Sequence, residues 1–536
     1  MLSKNNYIPG VILSFLLLIF ISFLLYELFF FQNPKNIFTG YSSYISNLLK
    51  FTFYQASISS FLSLFFGILI SWSLSHLRYM PFKNMIISLF SSALVLPSIV
   101  IVLGIITVFG KHGWLNERFY FVFGKSFGGY IYGLGGILFA HVYFNASYAA
   151  RVFFDAFKSI PEQRYKLSKN LGLNIFQRFY YIELPNIKPY ISGLALTIFL
   201  LCFNSFAIVL ILGGSPAYNT IEVAIYEALK LDFDIPLAVK LSFLQVVISS
   251  ILIIFISRNY TATNISIKND KKIKWLETKK ELFYHKSIVF IFLTIFILPL
   301  LAILTDGLNA NFSKLFSERE FWKAFDMSVI IATFSSFLLL IVSFVLSFAK
   351  ADLVIKSRYA DFYLRIFFEK MITLSSSVYL IVPSIVLGVG FFLFSQNFSC
   401  PLHFTAVVAL IFANMLLALP FAFNTMYPQI FQIKSRYDKN IKTIGICFFS
   451  KFFYIYLPNL KRQIIYTLAI SFSFSLGDLS IIALFGDKDI TTLPWYLYQK
   501  MGSYRTNDAS GIALVLLVLV LGIFFTTLKA GSVKNR

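Results

Sequence analysis

Few residues of this chain have the types and spacing that chemistry requires, and the first candidate is a fragment of a phosphate-binding loop. Gly124, Lys125 and Ser126 match the end of the G-x-x-x-x-G-K-[ST] pattern, in which backbone amides and a lysine hold nucleotide phosphates. The pattern requires another glycine where this chain has Phe119. The tripeptide is therefore interpreted as a chance match, and the chain itself is not expected to hydrolyse ATP.

Metal-ligand and disulfide patterns are also missing from the sequence. The three cysteines, Cys202, Cys400 and Cys447, lie far apart and show no C-x-x-C spacing. Their apolar surroundings indicate packing residues. No clustered acids, histidines or cysteines suggest a membrane-embedded enzyme, so we predict no catalytic residue, no metal and no cofactor.

The composition indicates that the elements carrying these residues lie in a bilayer. Of the 536 residues, 58% are hydrophobic and only 13% are charged, and the mean hydropathy is +0.76. A soluble protein has about a quarter of its residues charged. A membrane helix needs about 20 mostly apolar residues, and twelve windows qualify. They centre on 11–31, 52–75, 85–109, 133–154, 190–212, 238–257, 286–305, 326–349, 372–395, 404–424, 463–485 and 511–530.

The distribution of charge predicts the orientation of these spans. With a cytoplasmic N-terminus, cytoplasmic segments hold about 33 of the 46 Lys and Arg residues, as the positive-inside rule expects. The segments 151–189 and 258–286 are strongly basic, whereas the outer loop 213–237 has one lysine and four acids. The net charge of +22 thus reflects membrane topology and does not indicate nucleic-acid binding. We predict a multi-pass protein of the bacterial inner membrane with both termini in the cytoplasm.

The two halves of the chain repeat one another at an offset of 273 residues. The same pattern, G-x9-I-x-L-P, is formed by Gly172, Ile182, Leu184 and Pro185 and again by Gly445, Ile455, Leu457 and Pro458. Equal orientation of the halves predicts a pseudo-two-fold axis along the membrane normal. We predict a first half at 1–258 with its core at 52–258, a linker at 259–285, and a second half at 286–536 with its core at 326–530.

Each copy of the pattern lies in a basic cytoplasmic segment between the fourth and fifth spans of its half. These segments, 151–189 and 424–462, are called the first and second coupling loops below. The pattern resembles the coupling loop of type-I ABC importer permeases, E-A-A-x3-G-x9-I-x-L-P. Its E-A-A positions differ, since they read Lys-Leu-Ser from Lys166 and Lys-Asn-Ile from Lys439. The resemblance implies an all-α membrane protein with two six-helix type-I cores. It also implies a separate ABC ATPase dimer that binds ATP and contacts both loops.

Several stretches are similar to those of bacterial thiamine importer permeases, and the likeness extends over nearly the whole chain. These stretches are 132–145, 212–216, 220–229, 475–478, 493–499 and 502–505. The resemblance implies import of thiamine and its phosphate esters, with a periplasmic thiamine-binding protein as a further partner. The alternatives are a permease for Fe(III) or polyamines with the same fold, or a secondary transporter with six plus six spans. Such a transporter has no use for a repeated coupling loop.

Five polar residues interrupt apolar spans and are candidates for the solute pathway. His141, Asn145, Asn204 and Ser205 either join neighbouring helices or face the pathway, and the sequence leaves both interpretations open. Asp478 occupies the repeat position of Ser205. One hypothesis is that this acid favours entry of the thiamine cation. The other is that it lies near the outer end of its helix and accepts bonds from backbone or an arginine.

Overall fold

The computed structural model describes residues 7–30, 42–77, 80–93, 95–126, 128–257, 278–356, 362–444, 448–487 and 489–532. Every regular element in these ranges is a helix, which confirms the predicted all-helical fold. Lipid offers no hydrogen-bond partners, and a helix satisfies its own backbone N–H and C=O groups. Helical structure is therefore what so apolar a chain requires.

The described part of the first half contains twelve α-helices. They are α1 (Ile8–Phe30), α2 (Ser42–His76), α3 (Lys83–Ser92), α4 (Ser98–Phe109), α5 (Trp114–Phe123), α6 (Leu134–Lys158), α7 (Glu162–Asn170), α8 (Ile175–Arg178), α9 (Leu184–Phe203), α10 (Ala207–Leu212), α11 (Ile221–Tyr226) and α12 (Ile235–Ser257). A π-helical turn at Phe179–Glu183 joins α8 to α9, and another at Glu227–Leu231 follows α11.

The described part of the second half contains eleven α-helices. They are α13 (Lys279–Leu308), α14 (Phe312–Ser317), α15 (Arg319–Lys356), α16 (Phe362–Ser376), α17 (Ser384–Asn397), α18 (Leu402–Ile444), α19 (Phe448–Lys451), α20 (Leu457–Gly477), α21 (Ser480–Phe485), α22 (Leu493–Gly502) and α23 (Thr506–Ser532). A 3-10 turn at Val378–Leu380 precedes α17, and a π-helical turn at Phe452–Tyr456 precedes α20.

Ten helical stretches of the described chain are long and apolar enough to cross a membrane. The remaining two predicted spans, 133–154 and 372–395, fall on α6 and on the consecutive helices α16 and α17. The linker predicted at 259–285 lies outside the described residues as far as 277. Its last residues belong to α13, which begins with a capping box between Thr278 and Glu281.

The third and fifth spans of each half are broken into two helices. Pro97 and Pro383 immediately precede α4 and α17, since proline has no backbone N–H and suits the start of a helix. Asn204 lies between α9 and α10, and Asp478 lies between α20 and α21. At membrane depth irregular backbone is tolerated only where protein buries it or where it lines a cavity. The breaks therefore mark the polar interior of the fold.

Each half is completed by the first helix of the other half. Helix α1 packs against α15, α16 and α17, while α13 packs against α2 and α4. Small residues permit these close contacts. A Cβ atom added at Gly10 would lie 2.2 Å from the Cβ of Ala349, and one added at Gly104 would lie 2.5 Å from the carbonyl oxygen of Pro299. The two repeats are thus interlocked.

A hydrogen bond that occurs once in each half shows the repeat in the structure. Ile221, at the start of α11, donates its backbone N–H to Thr52 Oγ1 at 3.2 Å. Leu493, at the start of α22, donates its backbone N–H to Ser328 Oγ at 2.8 Å. In both cases a short helix begins at a hydroxyl of the long second span of its half.

Candidate functional site

The first coupling loop is built from two short helices that meet at Gly172. This glycine has a φ of +66°, in the left-handed region where side chains are strained. Its backbone N–H bonds to Lys169 O, and the next N–H bonds to Ser168 O, so α7 ends here. Asn174 then forms a capping box with Gln177 and starts α8. Gly172 therefore makes the tight turn that the pattern predicts.

The Ile-x-Leu-Pro part of the pattern connects the first loop to the membrane. Ile182 lies in the π-helical turn and Leu184 begins α9, and both side chains pack against the main hydrophobic core. Pro185 is in the first turn of α9, where its missing N–H costs no hydrogen bond. These residues fix the angle at which the loop enters the fifth span.

The second coupling loop differs from the first at its N-terminal end and resembles it at its C-terminal end. Pro161 separates α6 from α7, but its repeat equivalent is Lys434, and α18 therefore continues without interruption as far as Ile444. Gly445 lies outside the described residues. Ile455 is in the π-helical turn, and Leu457 starts α20 with Pro458 in its first turn. These three residues occupy the positions of Ile182, Leu184 and Pro185.

Both coupling loops expose aromatic side chains at equivalent positions. Tyr180 and Tyr181 are 63% and 65% exposed, and their repeat equivalents Phe453 and Tyr454 are 56% and 81% exposed. Phe176, on α8, is 72% exposed. Exposed aromatic rings at the ends of spans are available for contact with a partner protein or with lipid headgroups. The offset of 273 aligns Tyr181 with Tyr454, but the sequence alone does not reveal that these rings are exposed.

A buried polar cluster attaches the first coupling loop to α2. Glu183 is completely buried at the end of the π-helical turn. Its carboxylate accepts a hydrogen bond from Trp72 Nε1 at 2.7 Å and lies 3.0 Å from His76 Nε2 and 3.9 Å from Arg178 Nε. His285 of α13 stacks on His76 with ring centroids 4.9 Å apart. Sequence analysis missed this cluster, although an acid within Ile-Glu-Leu-Pro was a signal.

The second half replaces this cluster with one of opposite polarity. Phe348 and Asp352 belong to α15, the long second span of the second half, as Trp72 and His76 belong to α2. Lys434 lies 2.8 Å from Asp352 and 3.6 Å from the ring centroid of Phe348.

The residue at the position of Glu183 is Tyr456, whose hydroxyl donates to Asp438 at 3.4 Å. Lys451, equivalent to Arg178, is 2.8 Å from the same carboxylate. A buried ion pair between Lys434 and Asp352 thus attaches the second coupling loop to α15, where the first loop has a buried contact between Glu183 and His76 of α2.

Three of the predicted pathway residues join neighbouring helices. His141 Nδ1 is 3.0 Å from Ser59 Oγ, which links α6 to α2. Asn145 Nδ2 donates to Cys202 Sγ at 3.3 Å, which links α6 to α9. Asn204 accepts a hydrogen bond from Gln245 Nε2 of α12 at 3.3 Å. Ser205 is buried in the same break as Asn204.

Asp478 lies in the break between α20 and α21, and one carboxylate oxygen accepts the backbone N–H of Ser480 at 3.1 Å. A second acid lies nearby. Glu222 is 1% exposed on α11, and Gln245 donates to it at 3.2 Å. The sequence predicted Glu222 in the outer connection 213–237, and the structure shows that this acid is buried there because α11 packs against α12.

The remaining candidates show no ligand geometry. Gly124 has a φ of +65° and ends α5, whereas a phosphate loop must open a helix. Within the described residues, no group of three His, Cys, Asp or Glu side chains could hold a metal ion.

Comparison with known proteins identifies membrane components of transport systems as relatives of this chain. A model of the family "binding-protein-dependent transport system inner membrane component" matches residues 63–262, which include the first coupling loop. The chain is 34% identical over 498 residues to the thiamine transport system permease protein ThiP of Escherichia coli (strain K12), covering 92% of this chain and 90% of that protein. It is 32% identical over 504 residues to ThiP of Brucella abortus (strain 2308), covering 93% and 90%.

A more distant relative has a different solute in its name. The ferric transport system permease protein FbpB of Actinobacillus pleuropneumoniae is 22% identical over 565 residues, covering 98% of this chain and 79% of that protein. The fused two-half plan therefore extends beyond the thiamine proteins, and the higher identity lies with them.

Proposed function

Because this chain belongs to the binding-protein-dependent permeases of inner-membrane transport systems, we propose that it is the thiamine-translocating subunit of an ATP-driven importer. The observation that carries the proposal is the identity of 32–34% to thiamine permeases over both halves. Thiamine phosphate esters belong to the proposed substrate class. The ferric permease, at 22% identity, is the weaker alternative.

The two coupling loops are the proposed contacts with a separate ATPase dimer. An ATPase dimer closes around ATP and reopens after hydrolysis, and one chain with two loops offers one loop to each subunit. The exposed aromatic rings supply apolar contact area, and the buried ion pairs make each loop move with its half. Closure of the dimer then biases the equilibrium between two arrangements of the halves, which is what coupling requires.

The opposite face of the protein is the proposed receptor for a periplasmic thiamine-binding protein. In the predicted topology, this face is formed by the connections between spans that contain α5, α11, α14 and α22. The chain contributes no ATP site and no cofactor in this mechanism. Its own work is to hold a pathway between the halves and to change which side that pathway faces.

Uptake in cells tests the proposal. In a strain that lacks thiamine synthesis and its own thiamine permease, this chain, co-expressed with its ATPase and binding protein, should restore uptake of radiolabelled thiamine. Inactivating the ATPase subunit should abolish that uptake. Uptake that persists without ATP hydrolysis would indicate a secondary transporter, and uptake of radiolabelled iron in place of thiamine would favour the ferric alternative.

A further inference from the structure

A group of buried acceptor oxygens lies away from the coupling loops, where the two halves meet. Glu222 uses one carboxylate oxygen to accept a hydrogen bond from Gln245 Nε2, and its other oxygen is buried without a partner. Gln245 is completely buried, and its carbonyl oxygen also has no partner. The first half therefore presents two unsatisfied acceptors at one place.

Asp478 approaches the same place from the second half. Its Oδ1 accepts the backbone N–H of Ser480, while its Oδ2 is buried and unpartnered. Glu222 lies on α11, Asp478 lies between α20 and α21, and Tyr379 is buried in the 3-10 turn before α17. Helix α17 packs against both α11 and α21. The three side chains therefore converge on the contact between the halves.

Positive charge is missing from this group. Among the described residues, no lysine or arginine forms an ion pair with Glu222 or Asp478. A carboxylate removed from water needs a partner, and two neighbouring carboxylates repel each other. An intramembrane acid of this kind is a functional-site hypothesis by default. The amide oxygen of Gln245 and ionised carboxylates can only accept hydrogen bonds, so the ligand that complements them carries positive charge and N–H donors.

We infer that Glu222, Gln245, Asp478 and Tyr379 form a transient binding site for an organic cation, occupied by thiamine during its passage between the halves. This inference rests on the proposed function. The quaternary nitrogen of thiamine would lie between the two carboxylates and the tyrosine ring, since aromatic rings attract such cations. The amino group of its pyrimidine would donate to Gln245. Two carboxylates without further acidic, histidine or cysteine ligands make a poor site for a metal ion.

Thermal unfolding of the purified chain in complex with its ATPase tests the site without requiring transport. A ligand that binds only the folded state raises Tm. Millimolar thiamine should raise the Tm of the wild-type complex, and the rise should disappear in Glu222→Gln and in Asp478→Asn. The matched control is Glu117→Gln, which changes an exposed acid of α5 and should keep the full rise. A thiamine analogue with an uncharged thiophene in place of the thiazolium should leave Tm unchanged.

The same variants distinguish a binding role from a structural one. Without thiamine, Glu222→Gln removes an unpaired buried charge and should keep or raise Tm, while thiamine uptake falls at least tenfold. A lower Tm with loss of the protein from the membrane would make the acid structural and overturn the inference. An undiminished thiamine-induced rise in both variants would also overturn it. If the wild type shows no rise yet imports thiamine, this site is wrong and the proposed function stands.

Discussion

At the scale of single residues, each coupling loop is attached to the second span of its half by a buried polar contact, and the acid lies on opposite sides of that contact in the two halves. In the first half the acid, Glu183, belongs to the loop and His76 belongs to α2. In the second half the acid, Asp352, belongs to α15 and the base, Lys434, belongs to the second coupling loop. Because both contacts are buried, removal of Glu183 leaves polar groups without their acceptor, and removal of Asp352 or Lys434 leaves a buried charge without compensation. The arrangement makes the attachment of each loop rigid.

Replacing Glu183 tests the first of these attachments. Glu183→Ala removes the acceptor of Trp72 Nε1 and the partner of His76. Loss of one member of a buried pair costs about 3–5 kcal/mol, so we expect a clearly lower Tm and little co-purified ATPase. Glu162→Gln is the control on the same loop. Its pair with Lys166 is an i,i+4 contact near the surface, worth about 0.3–0.5 kcal/mol. Equal behaviour of the two variants would contradict the anchoring role.

Replacing Gly172 tests the turn of the first loop. A Cβ at this position would meet no atom within 4 Å, so the cost of a side chain is the left-handed backbone alone. Gly172→Val should cost about 1–2 kcal/mol locally. It should reduce ATPase co-purification and thiamine-dependent hydrolysis without changing membrane insertion. Gly172→Asn should be much milder, because asparagine tolerates this conformation. Wild-type values for Gly172→Val would mean that the turn has no part in coupling.

The residues of the loops show what sequence alone could predict. Gly172 and Pro185 were predicted because a left-handed turn and a helix start restrict the residue type, and such restrictions leave a local pattern. The partnership of Glu183 with Trp72 could not be predicted, since it joins positions 111 residues apart. The coupling role of these residues stays a prediction until variants are measured.

At the scale of helices, α21 is held from both halves. Its N-terminal end follows Asp478, and its C-terminal end accepts hydrogen bonds from Lys230 of the first half. Lys230 Nζ donates to Leu484 O at 3.2 Å and to Gly486 O at 3.1 Å. A cation suits the C-terminal end of a helix, where carbonyl groups lack partners. Any motion that separates the halves here must break these bonds.

Replacing Lys230 by methionine tests this bridge. Bonds to a charged donor contribute about 1.5–3 kcal/mol, so Lys230→Met should make separation of the halves easier. We expect ATP hydrolysis by the complex without thiamine to rise severalfold. Lys314→Met is the control, because Lys314 pairs with Asp508 inside the second half at 3.8 Å. Unchanged basal hydrolysis in Lys230→Met would show that the bridge does not restrain the halves.

The helices were easier to predict than their interruptions. Runs of about 20 apolar residues are a direct consequence of bilayer thickness, so all twelve windows coincide with helices. The breaks at Asn204 and Asp478 follow no local rule for helix ends and depend on packing in the interior. The burial of Glu222 in the predicted outer connection 213–237 could not be predicted, because it depends on the packing of α11 against α12.

At the scale of the whole molecule, the halves defined by the sequence repeat are not the same as the groups of helices that pack together. The offset of 273 identifies equivalent residues in the two halves, yet α1 packs on the second half and α13 on the first. Repeat similarity cannot reveal this exchange, since it says which residues correspond and nothing about which half they contact. The interlocked packing lets the His76 cluster include His285 from the other half.

The orientation of the molecule remains a prediction from charge. Reporters that are active only in the periplasm should be silent when fused after residues 174, 268 and 447, because these segments are strongly basic. The same reporter fused after residue 125, in a predicted outer loop, should be active and serves as the control. Activity at any of the first three positions would contradict the predicted topology.

Transport by purified components in liposomes tests the central claim most directly. The chain and its ATPase are reconstituted, thiamine-loaded binding protein is supplied on the outer side and ATP on the inner side, and trapped radiolabelled thiamine is measured. Accumulation that requires this chain, the binding protein and hydrolysable ATP together is the predicted result. No accumulation with all components present, or equal accumulation without ATP, would contradict the account of an ATP-driven thiamine permease.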